Sequence, residues 1–227
     1  MTTQMNVGIL IFEDMTMLDG YAPLQMLAFV EQFNTFTFAR EKQPLRSDCG
    51  AMLTPDYSFA DCPPIDILIV PGGGNVLPQM TDPVTQDFLK KAGAAAKYVT
   101  SVCTGAMILA EAGLLDGYRA TTHWGWVESL TAYPGIEVVD ERVAVDRNRI
   151  TGGGITAGLD FALTLIAEVV APPVAQAIQL IFEYRPEPPF KTGSPQQAPE
   201  EILAMVKQQI AAQSGELFDY VKRKSAA

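Results

Sequence analysis

Cys103 is the side chain whose surroundings point most directly to chemistry. Tyr98 to Val102 reads as a buried strand that runs straight into Cys103-Thr104-Gly105. A helical pattern begins at once, with Met107, Ile108, Leu109, Ala112 and Leu115 on one apolar stripe. A cysteine on so sharp a strand-to-helix turn is presented as on a nucleophile elbow. The unpaired N–H groups of the first helical turn and the positive end of the macrodipole both favour thiolate, so a depressed thiol pKa is expected. Gly105 lets the backbone pass close under the side chain. The alternative is an inert cysteine packed at a strand end; the Ser-Val-Cys-Thr-Gly context favours the nucleophile.

Asp19, in MTMLDGYAP after the first apolar run, can reach the same sheet edge as Cys103. An acid in apolar surroundings there keeps its proton to higher pH and can serve in acid/base chemistry. Equally, Asp at that place is a helix N-cap. Gly72-Gly73-Gly74 lacks the Lys and Ser/Thr that a phosphate loop needs, since Asn75-Val76-Leu77 follows. It reads either as backbone donors for developing negative charge or as a permissive turn. His123, the sole histidine, stands in ATTHW; supporting the site from beneath is favoured over acting as its base. Gly152-Gly153-Gly154 reads as a second flexible strand-to-helix turn, able to bring Ile155 to the pocket. Cys49 and Cys62 have no comparable context and read as structural.

The elements that must position these residues alternate. Val7 to Phe12, Thr35 to Arg40, Ile65 to Val70 and Tyr98 to Val102 read as strands, the continuous apolar runs among them as strands buried on both faces. Shorter strands are expected at Glu137 to Val139, Val143 to Asp146 and Arg149-Ile150, and a small hairpin within Arg46 to Tyr57. Helices are expected from about Pro23 to Gln32, Pro83 to Ala96, Ile155 to Val170, Pro173 to Glu183 and Pro199 to about Lys224. The order implies an α/β fold with a mostly parallel sheet between helices, flavodoxin-like, whose ligands gather at the carboxyl ends of the strands. The Pro-rich stretch from Pro186 to Ala198 reads as a surface strap, and one domain is expected over residues 1–227.

Composition narrows the partners. The formal net charge is −10, which argues against nucleic acid and against an anionic membrane surface. The basic cluster Lys222-Arg223-Lys224 suits the end of a helix. The apolar region Ile155 to Ala171 is broken by Asp160 and Glu168, a core helix rather than a membrane span. The amino terminus has neither the basic segment nor the cleavage site of a secretory signal. Three cysteines without a CxxC, with a single histidine, leave no Cys/His zinc site; a reducing, cytoplasmic setting is expected.

The motifs LIVPGGG, YVTSVCTGAMILAEAGLLDG, RATTHW, RITGGGITAGLDFALTL and EYRPEPPFKTGSP together resemble the ThiJ/PfpI superfamily, whose fold is similar to class I glutamine amidotransferases. The match runs from Val7 to Pro195, and within the superfamily it is most similar to the isocyanide (isonitrile) hydratases. The resemblance implies Cys103 as nucleophile, Thr104 beside it and Asp19 as acid/base. It also implies Gly73 and Gly74 as backbone donors and Ile155 as pocket wall, with no metal or organic cofactor. Family members commonly read Asp-Leu-Thr-Gly-Pro where this chain has Asp19-Gly20-Tyr21-Ala22-Pro23, a departure expected to narrow or reshape the substrate pocket at Tyr21. Peptidase-like relatives carry histidine after the cysteine; Thr104 argues against proteolysis.

The expected activity is hydration of an isocyanide to an N-substituted formamide through a thioimidate on Cys103. The alternatives are a ligand-sensing domain like the sensor half of AraC-type regulators, or a glyoxalase-like or redox-protective activity. The regulator reading is the weaker, since the acidic chain ends without a DNA-binding tail of the usual length. A homodimer is expected: superfamily members generally pair, and the last helix shows Ile202, Leu203, Met205, Val206, Ile210, Leu217, Phe218 and Val221, more apolar side chains than a frayed terminus exposes.

Overall fold

The computed structural model describes residues 4–225; the expected domain's outermost residues, 1–3 and 226–227, lie outside them. The elements run β1 (Met5–Leu10), α1 (Met17–Leu27), β2 (Phe33–Ala39), β3 (Leu45–Arg46), β4 (Met52–Leu53), β5 (Tyr57–Ser58), β6 (Ile67–Val70), α2 (Leu77–Thr81) and α3 (Pro83–Ala95). There follow β7 (Tyr98–Val102), α4 (Gly105–Glu111), β8 (Arg119–Ala120), α5 (Val127–Leu130), β9 (Glu137–Val138), β10 (Val143–Asp146), β11 (Arg149–Gly152), α6 (Ala157–Val169), α7 (Pro172–Ile181) and α8 (Glu200–Ser225).

Seven strands form one sheet in the order β10-β11-β7-β6-β1-β2-β5. All neighbours are parallel except β10 and β11, giving the α/β sandwich that the alternation of elements implies. The period of two explains its double burial. Val7, Ile9, Ile67 and Ile69 feed one core with Met26 and Leu27 of α1 and Phe161 and Leu165 of α6. Leu10, Leu68, Val70 and Val99 feed the other, with Met107, Ile108 and Leu109 of α4 and Leu217 and Val221 of α8. The expected hairpin is the β3–β4 pair.

The first helix differs most from expectation. It begins at Met17, so Pro23 lies inside it rather than near its start. The start is fixed by tertiary contacts: Met17 N–H donates to Asp48 Oδ1 at 3.1 Å, and Met15 forms an antiparallel bridge with Gly73. Proline's preference for a first turn yields to these anchors. The shift places Asp19 in the first turn of a helix.

Candidate active site

The chain turns sharply at the carboxyl end of β7. Cys103 adopts a φ of 59°, a left-handed conformation that costs a non-glycine residue about 1–3 kcal/mol. Three hydrogen bonds, each worth about 1 kcal/mol net, hold it there. Its N–H is shared between the carbonyls of Gly152 and Gly153 at 3.0 and 2.8 Å, and Thr122 Oγ1 donates to its carbonyl at 2.9 Å. Gly105 is required beneath it, because a β-carbon there would collide with the Val70 carbonyl.

The sulfur meets the Asp19 carboxyl in a nearly dry space, Asp19 being 0% and Cys103 4% exposed. Asp19 N–H bonds to the Thr16 carbonyl at 3.0 Å, and Thr16 is the N-cap of α1. The capping alternative for Asp19 is therefore set aside. Asp19 Oδ2 accepts the Gly72 N–H at 3.1 Å, while Oδ1 finds no aligned partner among the described residues. Carboxyl and thiol are thus a coupled pair in contact rather than a well-aligned hydrogen bond.

Burial dominates the electrostatics of this pair. It raises the Asp19 pKa from 3.8 to about 7, against the lowering influence of the Cys103 and Gly72 contacts. Burial also pushes the Cys103 thiol well above its usual range, with Asp19 adding to the rise. The expected depressed thiol pKa is therefore corrected. The backbone N–H groups of Thr104 and Ile155 do favour thiolate, but two amides in an unsolvated site do not offset the loss of water.

The first glycine turn is occupied rather than open. Gly73 N–H donates to Thr104 Oγ1 at 2.9 Å, and that hydroxyl donates to the Gly73 carbonyl at 2.8 Å. Thr104 thus clamps the turn: the Gly73 N–H is aimed at the elbow, where the threonine hydroxyl takes it up. The Gly74 carbonyl accepts the Ser214 hydroxyl at 2.6 Å. At the second turn, the Ile155 N–H reaches the sulfur while its side chain is 37% exposed.

His123 does not act from the thiol's own shell of contacts. Its Nδ1 accepts the Gly125 N–H at 3.1 Å, and burial lowers its pKa to about 4. The ring lies against Gly154, where a β-carbon would strike it, and so underpins the turn that carries Ile155. Two contributors escaped the reading of the sequence. Thr122 had a signal, being next to His123 in ATTHW; Ser214 had a fainter one, a polar residue in the apolar stripe Ile210, Leu217, Val221. Among the described residues, no group of three or more His, Cys, Asp and Glu side chains is placed to hold a metal ion, and no helix is long and apolar enough to cross a membrane.

The sequence profile of the DJ-1/PfpI family matches residues 5–168. An isonitrile hydratase of Pseudomonas putida is 43% identical over 223 residues, 98% of this chain and 97% of that protein. A ThiJ/PfpI family protein from Pseudomonas syringae superposes with a TM-score of 0.89 at 36% identity, covering 99% of this chain and 90% of the other. The HTH-type transcriptional regulator GbdR of Pseudomonas aeruginosa is 30% identical over 187 residues, 79% of this chain but 50% of the regulator.

Proposed function

This chain belongs to the DJ-1/PfpI family, and on that premise we propose that it hydrates isocyanides to N-substituted formamides, with Cys103 as nucleophile and Asp19 as acid/base. The observation that carries the reading is the contact of a proton-retaining Asp19 carboxyl with the Cys103 sulfur, in a chain similar along its length to an isonitrile hydratase.

The terminal carbon of an isocyanide accepts both an electron pair and a proton, which this pair can supply. In the competent state one proton is shared between the two groups. The sulfur lone pair forms the C–S bond while Asp19 passes the shared proton to the same carbon, leaving a thioimidate and a carboxylate. Water adds to the thioimidate carbon, and Asp19 relays the first water proton to nitrogen. Collapse breaks the C–S bond, returns the electron pair to sulfur and gives the second proton to Asp19. The formamide departs and the pair is restored. Ile155 N–H and Thr104 N–H favour the sulfur anion, and Thr104 Oγ1 holds the Gly73 turn in register.

The likeness to half of a transcription regulator favours a second reading, a sensing domain that binds a small molecule without turning it over. Steady-state assays with an aryl isocyanide and with methylglyoxal, on wild type and Cys103→Ala, separate the readings. Formamide production that disappears in Cys103→Ala is the expected result. Turnover of methylglyoxal alone, or binding without turnover, would replace it. The three cysteines are free, which supports a reducing, cytoplasmic setting, and a homodimer completes the reading.

A further inference from the structure

The turn Gly72–Gly74 joins three parts of the molecule: the start of α1, the elbow and α8. Gly72 N–H donates to Asp19 Oδ2, and the Gly72 carbonyl accepts the Thr16 N–H at 3.0 Å. Gly73 is clamped on both its polar groups by Thr104 Oγ1. Gly74 is held from above by α8, through the Ser214 hydroxyl at 2.6 Å. The first four hydrogen bonds come from elements of the site itself. The fifth comes from a helix 140 residues further along the chain.

Ser214 is 1% exposed in the middle of a helix whose neighbouring inward positions are apolar: Ile210, Leu217 and Val221 are all buried. A hydroxyl on such a stripe loses water, so it is expected to bond a specific acceptor. The helix that carries it is held firmly beyond that point. Lys224 Nζ and Tyr220 OH both donate to Glu111 Oε1, at 2.7 and 3.1 Å, and Tyr133 OH donates to Oε2 at 2.8 Å. Ile210 also lies against Gly125, whose N–H fixes the His123 ring. The hydroxyl is therefore offered to Gly74 from a fixed support, not from a frayed end.

We propose that Ser214 is a positioning residue for the reaction: through the Gly74 carbonyl, α8 fixes the glycine turn so that Gly72 N–H stays aimed at Asp19. The inference rests on the acid/base role given to Asp19 above. Without the Ser214 bond the turn loses its restraint from α8, and the Gly72 N–H departs from Asp19 Oδ2. That amide favours the carboxylate form, so its loss makes Asp19 hold its proton to higher pH. The titratable groups bearing on Asp19 are Cys103 at the elbow and Asp48 beneath the start of α1; Ser214 hydrogen-bonds Gly74 instead, so the substitution leaves both in place.

Ser214→Ala removes the donor while improving helix propensity, so the variant is expected to fold. Ser214→Thr restores a hydroxyl and serves as the rescue. Two readouts are followed across pH: kcat and KM for an aryl isocyanide, and the rate at which iodoacetamide alkylates Cys103, which does not depend on the hydratase reading. The expected result for Ser214→Ala is a kcat lowered about three- to tenfold, the scale of one lost hydrogen bond. KM is little changed, and the midpoint moves to higher pH in both profiles. Ser214→Thr returns both toward wild type. Unchanged profiles in Ser214→Ala, or a lowered melting temperature alone, would overturn the proposal and make Ser214 an ordinary helix anchor. If wild type shows no hydration, the alkylation profile still decides the role of Ser214, so the two failures are distinct.

Discussion

Asp19 Oδ2 accepts the Gly72 N–H at 3.1 Å, yet that carboxyl keeps its proton to about pH 7. Desolvation thus outweighs a hydrogen bond that would by itself favour the charged form. The acid and the buried thiol titrate as a unit. Losing the first proton leaves one between them, the state that can attack carbon and protonate it in the same step. Loss of the second requires a pH well above the ordinary thiol range.

The hydration rate should therefore rise with pH. Below about 7 the pair carries two protons, and kcat/KM is expected to fall about tenfold per pH unit, the slope of a single ionisation. Above it the rate should level off. Initial rates between pH 5.5 and 9, corrected for uncatalysed acid hydrolysis of the isocyanide, test this. A rate that declines above pH 7 would mean that the doubly protonated pair reacts.

Asp19→Asn keeps the shape of the side chain and removes its acidic proton. Loss of about 10²–10⁴-fold in kcat is expected, the usual scale of acid/base catalysis, with the fold retained in circular dichroism. Near-normal turnover by a well-folded Asp19→Asn would reduce Asp19 to a packing residue.

Thiol labelling should run against the order that the elbow geometry suggests. Cys49 is exposed, and the Ser47 hydroxyl bonded to its sulfur lowers its pKa. Cys103 is buried with a raised pKa, and burial pushes Cys62 up to about 11. With iodoacetamide at pH 8 and peptide mapping, Cys49 should react first. Initial reaction at Cys103 would mean that the site opens and ionises more readily than its burial allows.

The elbow was legible because its signals are local: a strand of five apolar and small residues, a Cys-Thr-Gly turn and a helical stripe directly after it. The same holds for β7, whose bounds at Tyr98 and Val102 match the expected strand. The start of α1 was not legible, because Asp48, 31 residues away, supplies the bond that sets it. The sign of the thiol shift was missed for a related reason. A helix terminus is visible in sequence, whereas the completeness of burial around Cys103 depends on α1, α6 and the glycine turns closing over it. Ser214 sits 140 residues from its acceptor, and only its place on an apolar stripe marks it.

Asp19 and His123 should give opposite slopes of stability with pH. Asp19 holds a proton in the folded chain that the unfolded chain loses above about 4, so its contribution is lost as pH rises toward 7. His123 stays neutral in the folded chain down to about pH 4 while the unfolded chain charges near 6.5, so its contribution is lost as pH falls through that window. Relative to wild type, Asp19→Asn should gain stability between pH 4 and 6.5, and His123→Gln should lose it over the same rise. Urea denaturation at several pH values measures both. Parallel curves for the three proteins would show that neither group is titrated differently in the folded state.

The apolar surface open to a second copy is narrower than the last helix alone implied. Ile210, Leu217 and Val221 of α8 are buried in the chain's own core, which leaves Ile202 and Met205 exposed near its start, Met205 at 58%. A second apolar patch lies at the end of α7, where Leu180 is 81% and Ile181 61% exposed. Phe29 joins it through an edge contact with Phe182 at 5.1 Å. Exposed side chains of this size in one place mark an association surface, and two-fold pairing is the commonest closed arrangement. Light scattering at micromolar concentration should give twice the 24.6 kDa mass of the chain. Charged substitutions then locate the contact. Leu180→Glu with Ile181→Glu is expected to yield monomer, since these are the most exposed of the set; dissociation by Ile202→Glu with Met205→Glu instead would place the contact at the start of α8. A wild-type monomer at that concentration would refute the pairing altogether.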